Sequence, residues 1–494
     1  MSLYSFGYFG FLFLVTVLYL HLPVRVQPRF LLGASWVFFG MAAPQALPVM
    51  LAVSLFTWLC GRALDSPHAK AALRVGVVGT LGILAFFKYF GFLEGALHLP
   101  LPNILMPLGI SYYSFTAIGY LIDAARGDCD IEHDFFHYAL FLNLFPTVMQ
   151  GPICRAGDLL PQIKAEHRFD AERTTRALRL FALGLFKTVA VSDVLGVLTG
   201  QILGSYQTYG GPMLLVGVLA YTLQLYFNFS GYSELARATG LFLGLELPEN
   251  FKTPFFATNF SGFWSRWHIS LSSWLQDYLF MPLAWADASK LTRGKIERLP
   301  VEFCVFVVFF ASGFWHGNTL PFVLWGLLQA ACRVGEELIH RHFGKPKKKA
   351  PARVLWGKRA AVFALWCFGM VFFSLGMQGG TAGDCFAYLA GCTQGWNLAR
   401  FGTELYNTVY TGFYANTIMV AGYYAFLVGA LALGFYLDRQ RNFNHRNRPS
   451  EIALAGEKHR WVVYYLLVAF ILVGYILQSG GFGSAAGFGM YANF

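Results

Sequence analysis

Phe303-Cys-Val-Phe-Val-Val-Phe-Phe-Ala-Ser-Gly-Phe-Trp-His316-Gly317 decides the class of fold. No residue from Phe303 to Trp315 carries a charge, and Leu320 opens a second apolar run just beyond the histidine. A helix that crosses a bilayer needs about 20 mostly apolar residues. Runs of that character recur near residues 4–22, 30–60, 75–98, 104–123, 137–150, 178–204, 212–229, 300–316, 319–339, 360–377, 414–437 and 461–478. The run at 30–60 is expected to break near Pro44, and 137–150 is too short to span alone. The expectation is about eleven crossings.

Composition agrees. Of 494 residues, 56% are hydrophobic and 13% charged, whereas soluble domains carry about a quarter charged residues. In water such a chain would expose large apolar patches; in lipid the outward faces of its helices can stay apolar. Its 52 glycines allow helices to approach closely in a bilayer. The alternating pattern of a membrane barrel is absent. The reading is an all-α polytopic membrane protein, one domain over residues 1–494, in which some helices are re-entrant or interfacial. The N-terminus enters its apolar run Gly7–Leu22 without a basic leader, as a retained first helix does.

The net charge of +11 is gathered in loops: Lys164–Arg179, Lys290–Arg298, Lys345–Lys349 and Asp438–Arg448. A nucleic-acid surface interleaves basic residues with stacking aromatics on one face; clusters between apolar runs are instead loops held on the cytoplasmic side. No nucleic-acid partner is expected. Eight scattered cysteines form no CxxC pair, so neither a disulfide frame nor a zinc site is indicated.

Between residues 228 and 286 polar and aromatic residues alternate, and no clean span fits. Ionisable groups at membrane depth are candidate functional residues. His316 ends its apolar run, where a neutral imidazole can act as a general base or can bond a helix-end carbonyl. In Phe263-Trp-Ser-Arg-Trp-His-Ile-Ser-Leu-Ser-Ser-Trp274 helical spacing puts Trp264, His268 and Ser272 on one face and Trp267, Leu271 and Trp274 on another. Arg266 can stack on the tryptophans and hold an anion, Asp277 can pair with Arg266 or orient His268, and an interfacial aromatic belt is the plainer alternative. His133 and His137 stand at metal-chelating spacing, although polar residues at a membrane boundary explain them adequately. Gln150 and Arg155 flank a Gly-Pro breaker at a helix mouth. Asn228, Ser230 and Glu234 suit a close helix contact or the wall of a polar cavity.

Several of these pieces occur in an order that resembles the membrane-bound O-acyltransferase (MBOAT) superfamily, in its bacterial branch of alginate and peptidoglycan O-acetylation membrane proteins. The resemblance runs from Phe87-Lys-Tyr-Phe90 through Pro107–Tyr113, Phe145-Pro146, Gln150–Arg155, Tyr226–Glu234, Glu249-Asn-Phe251 and Phe263–Tyr278 to Phe314–Gly317, roughly residues 80–330. It implies a helical bundle around a central tunnel in the bacterial cytoplasmic (inner) membrane. It also implies catalytic roles for His316 and His268, with Arg266, Trp267, Trp315, Asp277, Gln150, Arg155, Asn228, Ser230 and Glu234 along the tunnel. The implied activity is O-acylation, an acetyl group passing from a cytoplasmic thioester such as acetyl-CoA, a substrate and not a cofactor, to a cell-surface polysaccharide. A separate extracytoplasmic acyl-accepting transferase would be the partner, together with membrane lipid. D-alanyl transfer from a carrier protein to teichoic acid and non-catalytic acyl transport are the competing readings. Two departures stand out: Asn228 occupies a position where family members often have aspartate, and the tail Gly489–Phe494 is only loosely like the branch's aromatic end.

Overall fold

In the computed structural model the described residues are 2–97, 106–289, 294, 296–344, 351–413, 416–444 and 457–477. The basic run Lys345–Lys349, most of Lys290–Lys295, Arg446 and Arg448, and the tail Gly489–Phe494 lie outside them. Every regular element among the described residues is helical. Seven helices are long and apolar enough to cross a membrane: Pro44–Asp65, Ala69–Phe90, Ala171–Gly204, Gly211–Phe242, Ala352–Met377, Thr417–Arg441 and Arg460–Leu477. Phe6–His21 and Val301–His316 are shorter apolar helices. The chain is a multi-pass membrane protein.

Local chemistry explains the breaks. Pro44 starts a short 3-10 turn that separates helix Gln27–Ala42 from helix Leu47–Arg62, as expected. The run at 137–150 yields only helix Phe135–Asn143, 9 residues long, because Pro146 removes a donor and clashes with the preceding turn. Asp134 caps that helix by accepting from Phe136 N at 2.7 Å. His133 therefore lies outside the helix. It contacts Asp65 at 3.4 Å, while His137 faces Glu132 at 3.8 Å; the one-helix chelating geometry is not formed.

The residues divide into two compact units. The first comprises Met1–Gly184 and Tyr232–Glu249. Its core stacks Tyr8, Phe11, Phe38 and Phe145 with ring centroids 5.4–6.4 Å apart. Buried hydroxyls find partners there, Tyr8 with Thr239 and Tyr138 with Thr57, both at 2.7 Å.

The second unit comprises Leu185–Gly231 and Asn250–Met490. Its tightest joint is between helix Val301–His316 and helix Leu320–Phe343. A Cβ on Gly326 would stand 2.6 Å from the Phe309 carbonyl oxygen, and one on Gly313 would stand 2.6 Å from that of Phe322. Both neighbours are backbone and cannot swing aside, so the two glycines set how closely the helices meet. Gly326→Ala should therefore lower the melting temperature of the purified protein, with a cost of about 1–3 kcal/mol for overpacking. Gly335→Ala on the same helix, where nothing lies within 4 Å, should leave it unchanged.

Candidate functional site

Both sequence-selected histidines belong to the second unit. Around His268 the chain does not form the continuous helix expected from spacing. Asn259 accepts from Gly262 N at 2.9 Å and starts helix Phe260–Trp264, which ends after five residues. Helix Ile269–Leu275 begins only after His268, whose backbone is left-handed at φ 44° and ψ 56°. Trp264, His268 and Ser272 consequently do not share a helix face. A side-chain-bearing residue in that conformation costs about 1–3 kcal/mol and persists only where its surroundings impose it.

Asn250 imposes it. Its carbonyl accepts from Ile269 N, while Lys252 N donates to Arg266 O, both at 2.9 Å. Its side-chain oxygen accepts from Ser270 N at 3.0 Å and from the Ser270 hydroxyl at 2.9 Å, and lies 3.2 Å from His268 Nδ1. An oxygen already accepting from a backbone N–H cannot donate, so Nδ1 must carry the proton it shares with Asn250. This fixes the tautomer. Nε2 keeps its lone pair, and among the described residues it is buried without a hydrogen-bond partner. Burial pushes His268 down from its ordinary 6.5 to about 3, so the ring is neutral at working pH.

A continuous aromatic wall joins His268 to His316. His268 meets Phe229 edge-on at 4.6 Å, Phe229 meets Phe251 at 5.0 Å, and Phe251 meets Trp267 at 5.1 Å. Trp267 packs on Trp366 at 4.9 Å, Trp366 on Trp325 at 6.4 Å, and Trp325 on His316 at 5.0 Å. Phe373 closes on His316 at 4.9 Å. His316 is the last residue of its helix and is half-buried. Offset and edge-on aromatic pairs are favourable contacts, and this wall carries an imidazole towards each end.

The remaining candidates separate. Trp267 is buried in the wall, Trp315 is half-buried beside His316 at 4.6 Å, and Asn228 and Ser230 are buried in the same unit. Arg266 is half-buried; desolvation and the like charge of Arg359 lower it. Asp277 is exposed on the π-helical stretch Gln276–Phe280. Gln150, Arg155 and the buried Glu234 belong to the other unit. Among the described residues no three of His, Cys, Asp or Glu gather as a metal set.

Sequence reading missed a buried ion pair. Lys187, on the π-helical stretch Phe186–Ser192, lies 3.8 Å from Asp438, which also accepts from the Tyr226 hydroxyl at 2.5 Å. Tyr226 in turn borders Phe251 and Trp267 at 6.1 and 6.2 Å. The available signal was a lysine inside the apolar run 178–204. Its counter-ion, however, was counted with the basic loop that starts at Asp438.

Residues 107–378 match the MBOAT, membrane-bound O-acyltransferase family. The chain is 32% identical over 467 residues to the Probable alginate O-acetylase AlgI of Pseudomonas fluorescens, covering 92% of this chain and 88% of that protein. It is 35% identical over 343 residues to the Probable alginate O-acetylase AlgI of Pseudomonas aeruginosa, covering 65% of this chain and 64% of that protein, just under two thirds. It is 29% identical over 356 residues to the Peptidoglycan O-acetyltransferase of Helicobacter pylori, covering 64% and 66%.

His268 also makes stability depend on pH. The unfolded ring takes a proton near its ordinary 6.5, whereas the folded ring resists until about 3. The unfolded state then binds more protons, so stability is complete above pH 6.5 and declines as pH falls below it. The melting temperature of the wild type should drop more steeply between about pH 7 and pH 5 than that of His268→Asn. Parallel slopes would show that the folded ring takes up its proton over the same pH range as the unfolded one.

Proposed function

The chain belongs to the membrane-bound O-acyltransferase family, and from that premise we propose that it is an O-acetyltransferase of the bacterial cytoplasmic membrane. It moves an acetyl group from a cytoplasmic thioester towards an extracytoplasmic polysaccharide. The observation that carries this reading is the half-buried His316 at the end of an aromatic wall that also holds a neutral histidine. His316 takes the proton of the attacking hydroxyl as its oxygen bonds the thioester carbonyl carbon. The carbon–sulfur bond then breaks, and the imidazolium returns the proton to the departing sulfur. The carbonyl end of helix Val301–His316 is a place where transient positive charge is favoured. The water-poor wall protects the thioester from hydrolysis.

His268 has a different task. With Nδ1 committed to Asn250, its Nε2 can only accept a hydrogen bond, which suits it to orienting the hydroxyl or an N–H of the donor. A separate acyl-accepting transferase on the outer side completes the path to polymer.

Purified protein supplied with radiolabelled acetyl-CoA or D-alanyl carrier protein tests the donor: acetyl label should move to an acceptor, and D-alanyl label alone would reassign the acyl group. His316→Ala should cut transfer by at least about 100-fold, the lower range for losing a general base, with protein abundance unchanged. Normal surface acetylation in that variant would remove His316 from the chemistry.

A further inference from the structure

Helix Ala352–Met377 begins with Arg353, Lys358 and Arg359, and helix Thr417–Asn444 carries Arg439 and Arg441 in its later turns. Basic ends of this kind stay on the cytoplasmic side, so the segment 378–413 between the two helices lies on the outer side of the membrane. It folds as helix Ala382–Gly391 and helix Leu398–Phe413. Within the second unit it meets the turn Tyr206–Thr208, which precedes helix Gly211–Phe242. Gly211 N donates to Gln394 O at 2.8 Å. A Cβ on Gly211 would stand 2.5 Å from the Cys392 carbonyl oxygen, so only glycine permits the approach.

These pieces enclose a cleft of about 460 Å³, inside the range of roughly 300–1,000 Å³ for small-ligand sites. Its floor is made of small residues such as Ala390 and Gly391, and its walls carry Tyr206, Tyr209, Gln207, Gln394 and Arg400. The walls are held from behind. Tyr206 donates its hydroxyl proton to Asp384 at 2.8 Å, and Tyr209 accepts from the Thr408 hydroxyl at 3.3 Å. Arg400 donates through Nε to Glu404 at 2.7 Å and through Nη2 to the Thr208 carbonyl at 3.0 Å. Its Nη1 stands 3.5 Å from the place of a Cβ on Gly395, which also lines the cleft. Groups fixed in advance lose little freedom when a ligand arrives.

Charge selects the ligand. Asp384, Arg400 and Glu404 are the charged residues of 378–413, and 205–211 has none. Two carboxylates against one guanidinium, itself already paired, disfavour a phosphate or a uronate. A neutral ligand is left, and it has to answer tyrosine faces, planar amides and a guanidinium edge together. A sugar ring does so. Its C–H face stacks on an aromatic ring, whose face is electron-rich, and its neighbouring hydroxyls donate to and accept from amides. The position suits an acceptor as well. Ala387 of the cleft follows Phe386, which meets Phe372 at 6.0 Å, and the adjacent Phe373 meets His316 at 4.9 Å.

We propose that this cleft is an outward-facing subsite for an uncharged pyranose of the acceptor polymer, held by Tyr206, Tyr209, Gln207, Gln394 and Arg400. This rests on the acyltransferase reading above and adds that the polymer is met by this chain itself.

The test is saccharide binding to the full chain in nanodiscs, free of sugar-headed detergent, read by saturation-transfer NMR and calorimetry. Cellotriose and maltotriose are the neutral probes, trigalacturonate is the acidic one, and inorganic phosphate stands for a lipid headgroup. A neutral trisaccharide should bind, and trigalacturonate and phosphate should bind at least about tenfold more weakly. Gln207→Ala combined with Gln394→Ala, both exposed, should weaken the neutral probe about tenfold or more, as loss of two or more hydrogen bonds does, at an unchanged melting temperature. Ala390→Trp fills the cleft from an exposed position; it should abolish binding, and it replaces the double variant if that one fails to fold. Tighter binding of trigalacturonate or phosphate, or neutral binding that both variants leave untouched, would overturn the subsite. So would a wild type that binds no saccharide, as expected of a seat for a partner protein. In each of these cases acetyl transfer from acetyl-CoA would still stand on its own assay. A wild type that binds the neutral probe but moves no acetyl group would instead sink the enzyme reading, and the acceptor role with it.

Discussion

A hydrogen-bond donor at membrane depth has no water to turn to, so each one must be met by the protein or by what the protein binds. Most of this chain obeys by making helices and letting hydroxyls bond back to the carbonyl a turn earlier, as Ser54, Thr57, Thr80 and Thr222 do at 2.7–2.8 Å. Several donors and acceptors of the second unit are exceptions among the described residues. His268 Nε2, Trp325, Trp366 and both amide atoms of Gln329 lie along or against one aromatic wall.

Asn250 shows how the same constraint shapes backbone. One side-chain oxygen serves a serine N–H, a serine hydroxyl and a histidine ring, and each removes a donor that hydrocarbon would penalise. The cost is a left-handed residue at 268. Charge-bearing side chains receive similar treatment: Lys187 and Asp438 are brought together with the Tyr226 hydroxyl behind the wall. A buried pair of this kind adds little net stability, but removing one partner would strand a charge beside Phe251 and Trp267.

Much of the fold was legible because hydropathy and proline act locally. The break at Pro44, the truncation before Pro146 and most long helices follow from residues adjacent in sequence. The count of about eleven crossings was less secure, since helix Leu320–Phe343 carries Arg333, Glu336, Glu337 and Arg341 in its later turns and is not apolar throughout. The two-helix geometry at 260–275 was illegible because it is imposed from residue 250, across a distance that periodicity cannot see.

On the proposed function, these features divide the chemistry between two imidazoles that composition cannot tell apart. A ring whose Nδ1 proton is pinned by an amide oxygen, and whose protonated form is disfavoured by burial, is a poor proton carrier and a good fixed acceptor. A half-buried ring at the carbonyl end of a helix can take a proton and give it back. On the proposed function, Asn250 sets that division through the Nδ1 proton that it pins.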